Sequence, residues 1–474
     1  MEHADVIVVG AGPAGCMLAG ELAAAGRSVI VVEKHHAVSP LSRAFGVHAR
    51  TLEVLDSRGI ADELLTTGAR VSGLKLWDDT KLDLTVLPSK FPFLLSTPQL
   101  NVDSLLESYA RRSGAQFVRG ITVTGVDQDD AGARVHGTTA DGAAATWFAE
   151  YVVGADGVRS VVREAIGQKF HGRALLRSIM LADVTLKNPP HGVINVDAGR
   201  DCFAFVAPFG DGWYRVITWD RRDTAGEKDP IDEASMRDVL TRSMGTDFGW
   251  TDVRWTSRFR CDERQVEKYR VGRVLLAGDA AHVHSPAGGQ GMNTGIQDSF
   301  NLGWKLAAVL GGADESILDS YQSERHPVGK LVLKTSGATI RMLLVKSWLA
   351  KKARNLLIGK AVRTRRSASK IAGMFSGIGI EYGHSGPHRL VGTRAPQSDG
   401  VAEALRAGRF VLVCPAGNME VDFDGPLVHV PGDGPALLVR PDGYIAWAGA
   451  AGSEGWRDAL ARWGGQRPVH SRAV

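Results

Sequence analysis

Two periods of apolar and polar residues run along this chain, and the change from one to the other divides it. Asp5-Val-Ile-Val-Val9 is a short β-branched apolar run, read as a buried strand. Gly10-Ala-Gly-Pro-Ala-Gly15 follows, then a small-residue helix from Cys16 to Ala25, then a second strand, Ser28-Val-Ile-Val-Val32, ending at Glu33. Strand, helix and strand with a short crossover predict a parallel sheet. Helical spacing is predicted over 48–70 and 102–113. Phe117–Gln128 and Ala133–His136 read as a hairpin, and Ala149–Val153 as a strand leading into Gly154. From about 171 to 260 the period becomes two, in Ser178–Leu186, Gly192–Val196, Cys202–Val206 and Trp213–Thr218. That predicts a mostly antiparallel sheet inserted into an α/β domain. The α/β pattern returns at Arg273–Ala277. A long helical tract is predicted from Pro327 to Lys370. The segment from Arg394 to Val474 alternates strands (Phe410–Val413, Pro426–Val430, Ala436–Arg440, Tyr444–Trp447) with helices.

Composition narrows the class. The chain has 474 residues, 44% hydrophobic and 23% charged, with a net charge of +4. These values exclude a disordered chain, a collagen and a membrane bundle, and the balance of charge argues against general nucleic-acid binding. The four cysteines, Cys16, Cys202, Cys261 and Cys414, are too far apart for a disulfide framework, a zinc ribbon or a CxxC pair. No secretory signal or membrane-length apolar run is read, so a cytoplasmic location is expected. Lys330–Lys370 holds twelve Lys and Arg and no Asp or Glu, leaving the remainder of the chain at −8. A membrane-surface or acidic-partner helix is one reading of that tract. A solvated helix linking two domains is preferred, because Trp348 is its one bulky aromatic, with Phe375 beyond its end.

Three glycine-rich loops carry the candidate chemistry. In Gly10-x-Gly12-x-x-Gly15, Gly10 permits a tight turn, Gly12 lets the backbone approach a pyrophosphate and Gly15 lets the helix pack on the sheet. Glu33, at the end of the next strand, is placed to bond a ribose hydroxyl. Gly278-Asp279 opens the second loop at a strand end. It runs through His282, His284, Pro286, Gly288, Gly289, Gln290, Gly291, Met292 and Asn293 into a helix whose positive end favours negative charge. The two histidines read as structural, since no third metal ligand is evident from spacing. The third loop is Gly154-Ala-Asp156-Gly157-Val-Arg159-Ser160, an Asp-Gly turn that is weak by itself. The motifs alone do not separate FAD from NAD.

In this order the loops resemble those of the class A, single-component FAD-dependent aromatic hydroxylases of the para-hydroxybenzoate hydroxylase fold. Ser42-Arg43-Ala-Phe-Gly-Val-His48-Ala-Arg50-Thr and Pro98-Gln99 look like the branch acting on aromatic polyketides and rifampicin. The resemblance is strong over about 1–345. The last 80 residues look like that branch's thioredoxin-like tail, in which Cys414 alone permits no dithiol chemistry. It implies a Rossmann-like FAD-binding domain over 1–170 and 261–345, an inserted substrate-binding β-sheet domain over 171–260, a helical linker over 346–393 and the tail over 394–474. Gly10, Gly12, Ala14 and Gly15 would hold the FAD pyrophosphate, Glu33 would hold the adenosine ribose, and Lys34 would also be cofactor-binding. Arg43 and Gln99 would lie on the flavin side, with Arg43 gating the ring. Asp156 would serve its loop, Asp279 would bond the ribitol, and Pro286, Gly289, Gly291, Met292 and Asn293 would border the isoalloxazine.

The reaction the resemblance implies uses NADPH or NADH and O₂. Oxygen is transferred through a C4a-hydroperoxyflavin to an electron-rich, polycyclic polyketide-type phenol. The cofactor supplies the chemistry, so no Ser-His-Asp set is expected, and no metal. Phe203, Phe205 and Arg215 are the substrate-wall candidates, although alternating strand residues are more often core. Baeyer–Villiger insertion or epoxidation on the same scaffold remains open, as does FAD binding without turnover. A small-molecule substrate, no nucleic acid, no stable membrane insertion, and a monomer or homodimer are expected.

Overall fold

The structure is a computed structural model that describes residues 2–39, 43–75, 81–190, 194–345, 347–383, 388–396, 398–415 and 427–464. Ser42, Gly192, Val193, Pro426 and residues 465–474, all named in the sequence expectations, lie outside the described residues.

The first strand, Glu2–Val9, is fully buried over Val6–Val9. It pairs in parallel with Val29–Glu33 on one side and Ala144–Gly154 on the other. Gln116–Arg119 and Val274–Leu276 extend the sheet in parallel at either end. Such strands are apolar throughout because both their faces are buried: helix Pro13–Ala24 packs on Glu2–Val9 and Val29–Glu33 with Gln99–Arg112 and Gln290–Leu310 packed against it, and Val123, Ala133 and Val135 of the antiparallel strands join the same core. The predicted hairpin divides. Gln116–Arg119 joins the parallel sheet, and only Thr122–Asp129 pairs antiparallel with Gly132–Thr138. The predicted 48–70 helix also divides, into Ala49–Asp56 and Ala61–Leu65, because Gly59 turns the chain at φ +70°.

The second sheet is mostly antiparallel. His171–Leu186 lies at its centre, paired with Trp213–Asp220 and Trp250–Gln265, and Cys202–Pro208 and Ile194–Ala198 continue outward. It is not confined to 171–260. Gly73–Lys75 and Lys81–Asp83 complete one edge and His282–Val283 the other, so the sheet ends at the second glycine-rich loop. Alternation divides its faces. Phe203 and Ala207 join the large core shared with the first domain, whereas Ala204 and Val206 pack under helix Glu233–Met244.

The tract expected as one helix from Pro327 is three helices: Asp319–Leu343, Trp348–Arg363 and Arg365–Ser376. The first runs through Pro327. Burial of Tyr321, Val328, Val332 and Ile340 along one face outweighs the loss of about 3 kcal/mol that an interior proline brings. The C-terminal sheet orders Leu427–Pro431, Phe410–Cys414, Ala436–Val439 and Ile445–Gly449, the first pair parallel and the others antiparallel. It docks on the first domain through buried polar groups. Arg440 pairs with Glu324 and Asp442, Lys305 with Glu324 at 2.7 Å, and Arg50 donates to the Asp442 carbonyl at 2.7 Å. No helix among the described residues is long and apolar enough to cross a membrane.

Candidate active site

Three loops leave the carboxyl ends of adjacent parallel strands. Gly10 follows Glu2–Val9, Ala155-Asp156 follows Ala144–Gly154, and Ala277–Asp279 follows Val274–Leu276. Open parallel sheets bind ligands along this edge. Gly10 sits at φ +103°, and a Cβ there would lie 2.5 Å from the Ala155 carbonyl oxygen. A Cβ at Gly15 would lie 1.9 Å from the Gly10 carbonyl oxygen. Both positions are closed by protein. Gly12 is the opposite case, since a Cβ there would meet nothing within 4 Å. It faces open space at the start of helix Pro13–Ala24, whose N-terminus has no side-chain cap. Free N–H groups, a positive helix end and an open approach are what a pyrophosphate requires. Ala14 joins the first loop to the second, for Cβ atoms added at Gly278 and Gly295 would lie 3.0 and 3.5 Å from its own.

The Glu33 carboxylate lies against the same turn, accepting from the Ala11 amide at 2.8 Å and the His35 amide at 2.9 Å. A carboxylate has about four acceptor positions, so capacity remains for a sugar diol. Lys34 is exposed beside it. Asp279 is accessible to water, yet protein surrounds it closely enough that burial raises its carboxyl pKa, against the pull of His282 and Arg43. A carboxylate reachable by water between the buried Gly278 and Ala280 is able to accept from a polyol hydroxyl.

The loop that follows is fastened from several sides. Pro286 accepts from the Gly289 amide at 2.9 Å, and Gly289 (φ +61°) starts helix Gln290–Leu310 without a side-chain cap. Asn293 donates to the Gly289 and Gly46 carbonyls at 2.8 and 2.9 Å and accepts from the His48 amide at 2.9 Å. The His48 ring lies 2.7 Å from the Gly288 carbonyl through Nε2. Burial lowers its pKa to about 4, so it is neutral and acts as a strut. Gly291 begins the helix against His284, and Met292 is half-buried against the large core. The two sequence-flagged histidines are structural here. His282 binds Asp298 at 2.6 Å and stacks on His284, whose pKa burial lowers to about 3. Asp298 also accepts from Arg325 at 2.7 Å. No group of three metal-ligating side chains occurs among the described residues.

Asp156 has a more local place than the other loop acids. Its carboxylate accepts from the Ser160 hydroxyl and from the Val161 and Val162 amides, so it holds the start of helix Val161–Ala165. Gln99 holds main chain, accepting from the Ala44 amide at 3.1 Å. Arg215 is fully buried. It forms a two-pronged pair with Asp183 at 2.8 and 2.9 Å and donates to the Arg43 carbonyl at 2.9 Å. Its guanidinium is thus a support under residues 43–44. The Arg43 side chain itself is exposed, with its guanidinium 5.8 Å from the Phe259 ring centre. Phe203 is buried and stacked on Trp219 at 5.8 Å, whereas Phe205 is half-buried against Phe45 at 5.1 Å. Phe205, Met292, Ala287, Leu344 and Phe375 are all partly open groups on one core, an apolar lining between the inserted sheet and the second loop.

Asp183, Asp298 and Phe45 were not singled out from sequence. Asp183 offers only one signal, an acid at an inward position of an otherwise apolar strand. A cavity of about 320 Å³ lies on the other face of the sheet, beside helix Glu233–Met244. Of its four carboxylates, Asp220, Asp223 and Asp238 pair with Arg222, Arg242 and Arg258 and Asp232 caps that helix, and none of the three loops lines the cavity.

Comparison with known proteins adds the following. Residues 3–336 match the family described as FAD binding domain, and residues 381–467 match the one described as aromatic-ring hydroxylase, C-terminal. A 12-dehydrotetracycline 5-monooxygenase/anhydrotetracycline 6-monooxygenase of Streptomyces rimosus is 36% identical, over 97% of this chain and 99% of that one. A rifampicin monooxygenase of Streptomyces venezuelae is 37% identical over 94% and 95%. The solved structure of an anhydrotetracycline hydroxylase from Streptomyces rimosus superposes with a TM-score of 0.85 at 34% identity, covering 97% of this chain and 99% of that one.

Proposed function

The chain belongs to the FAD-dependent aromatic-ring hydroxylases and is a flavin-dependent aromatic monooxygenase, and from that premise we propose that it hydroxylates a polycyclic phenol of the aromatic polyketide type, using NAD(P)H and O₂. When bound, FAD supplies the acceptance of electrons from the nicotinamide and the activation of O₂ for transfer of one oxygen atom. The observation that carries the cofactor is Gly12, open where its neighbours Gly10 and Gly15 are closed, at an uncapped helix start, and the apolar lining of Phe205, Met292 and Phe375 supports a flat aromatic substrate.

The chain's residues divide the work. Gly10, Gly12, Ala14 and Gly15 admit and hold the pyrophosphate, and Glu33, with Lys34 beside it, holds the adenosine ribose. Asp279 accepts from a ribitol hydroxyl. Pro286, Gly289, Gly291, Met292 and Asn293 shape the edge of the ring site, where the positive end of helix Gln290–Leu310 favours negative charge. Asp156 keeps the third loop in place. Arg43, exposed on a main chain pinned by Arg215 and Gln99, is the residue placed to respond to ring position. The half-buried Phe205 and the lining around Met292 and Phe375 exclude water and hold a flat apolar substrate. Phe203 and Arg215 support that wall from within. The C-terminal sheet is thioredoxin-like in our reading and serves no redox step, since Cys414 contacts His429, at 2.9 Å, and no second thiol. The domain limits we adopt are 1–170 with 261–345, 171–260, 346–393 and 394–474, with the edge strands noted above crossing between the first two.

The test is aerobic NADPH and NADH oxidation by the FAD-loaded enzyme against polycyclic and monocyclic phenols, with peroxide and ¹⁸O-labelled product measured together. Coupled hydroxylation of a polycyclic phenol is expected. Coupling confined to monocyclic phenols overturns the substrate class, and a ring-expanded or epoxide product overturns the reaction type. In stopped-flow, the cognate substrate is expected to accelerate flavin reduction. A tenfold effect needs about 1.4 kcal/mol of preference between two ring positions.

A further inference from the structure

Among the described residues, the exposed large apolar side chains gather mostly in one region. Of the seven found exposed among the described residues, six lie between Met342 and Ile371: Met342, Trp348, Leu349, Leu356, Leu357 and Ile371. Four of them belong to helix Trp348–Arg363, where Trp348, Leu349, Leu356 and Leu357 are 59–67% exposed. Leu349, Ala353, Leu356 and Leu357 follow one another at i, i+4, i+7 and i+8, the spacing of a single helix face, and Lys360 ends that stripe at i+11. In a surface helix that face ordinarily turns inward. Here it turns outward, while Ile358 packs against the large core and Arg354 donates to the Met342 carbonyl at 2.9 Å.

The charges around the face are of one sign. Lys352 and Lys360 are exposed beside the leucines, with the Lys352 ammonium 4.8 Å from the centre of the Trp348 ring, and Arg365 and Arg366 follow. The whole tract from Lys330 to Lys370 has no carboxylate. An outward apolar stripe flanked by lysines, with a tryptophan at one end, has the composition of a helix that lies in a lipid headgroup layer.

We propose that helix Trp348–Arg363 docks this enzyme reversibly on an anionic phospholipid surface, with the leucines at the acyl boundary and the lysines on the headgroups. A second copy of the chain is a poorer occupant on two counts. In a two-fold dimer the same cationic face would meet itself, and like charges would oppose. At about 1.5 Å per residue the helix is about 24 Å long and about 10 Å wide, so its face offers a few hundred Å², short of the roughly 800 Å² per partner of a stable dimer. The proposal does not depend on the polycyclic substrate, but it gives that chemistry a place. The helix and the lining around Phe205 and Phe375 belong to one core, so a docked enzyme would hold its substrate site beside the layer into which a lipophilic aromatic partitions.

The test is vesicle co-sedimentation of the FAD-loaded full chain, using phosphatidylcholine alone and phosphatidylcholine mixed with phosphatidylglycerol. Binding to the mixed vesicles only is expected, weakening as salt is raised. Leu356→Gln/Leu357→Gln and, separately, Lys352→Gln/Lys360→Gln are each expected to lower the partition coefficient about tenfold or more. Flavin content and NADPH oxidation in free solution verify that each variant is folded. Four results overturn the proposal: no binding to mixed vesicles, equal binding to neutral ones, folded variants that bind like wild type, or a wild-type dimer by sedimentation velocity that Leu356→Gln/Leu357→Gln makes monomeric.

Discussion

Gly12 and Gly15 are three positions apart in one turn, and alanine is expected to act on them in opposite ways. At Gly15 the added methyl would lie 1.9 Å from the Gly10 carbonyl oxygen, and the helix must move off the strand to admit it. Overpacking of that kind costs about 1–3 kcal/mol of folding stability. At Gly12 the added methyl meets nothing, and the backbone, at φ −76° and ψ −179°, suits alanine. Gly12→Ala should leave the apoprotein as stable as wild type, or raise it by about 0.4–1 kcal/mol through the unfolded chain. The same methyl projects into the approach assigned to the pyrophosphate. A loss of about 1.4–2.8 kcal/mol there is about a ten- to hundredfold rise in the FAD dissociation constant. The assay is urea unfolding of both apoproteins alongside flavin titration by fluorescence quenching. If Gly12→Ala binds FAD like wild type, the open space above Gly12 is not where the cofactor approaches. If Gly15→Ala is as stable as wild type, the contact with the Gly10 carbonyl does not hold the turn.

Asp279→Ala is expected to weaken FAD retention about ten- to hundredfold with the unfolding midpoint unchanged, and an unaltered dissociation constant rejects the ribitol contact. Asp183→Asn leaves the Arg215 guanidinium buried without its counter-charge and should cost about 3–5 kcal/mol in urea unfolding. Asp183→Leu/Arg215→Met should recover much of that loss, and if it does not, the pair is more than mutual neutralisation. Asp103 is buried with one carboxylate oxygen unpartnered, and burial raises its pKa to about 7, against the hydrogen bond from Gln99. The folded state holds this proton while the unfolded chain releases it near pH 4. Stability therefore falls as pH rises from about 4 to about 7, by an amount on the order of a few kcal/mol. Asp103→Asn should remove that slope, and a slope unchanged in the variant assigns it elsewhere.

The three loops were legible in the sequence because their chemistry is local. Glycine spacing, the strand before it and the acid after it all fall within one unit, as at Gly10 to Glu33. What joins the loops was not legible. Asp183 and Arg215 meet across two paired strands, and neither strand marks the other as its neighbour. Gly73–Lys75 and Lys81–Asp83 are too short to show a period, yet they complete the sheet. Lys305, Arg440 and Asp442 look like surface charges in sequence and are buried around the partly buried Glu324, because each one's cost of desolvation is offset by the others. Pro327 looked like a helix boundary because local propensity gives no account of an apolar face packed along both sides of it.

His171–Leu186 and Trp250–Gln265 are each sixteen residues long and paired along their length, a ribbon of about 50 Å. One end joins His282–Val283 at the second glycine-rich loop, and the middle sends Ile179, Leu181 and Phe259 into the large core. The ladder spans both regions, and its register shifts at four places along the way, between Ala174 and Leu176, Leu176 and Ile179, Asp183 and Val184, and Val184 and Leu186. Clamshell closure of the inserted sheet would have to bend this ladder at those shifts. On the assignment proposed above, accommodation of differently sized substrates falls first to side chains, and efforts to reshape specificity should begin at Phe205, Met292 and Phe375.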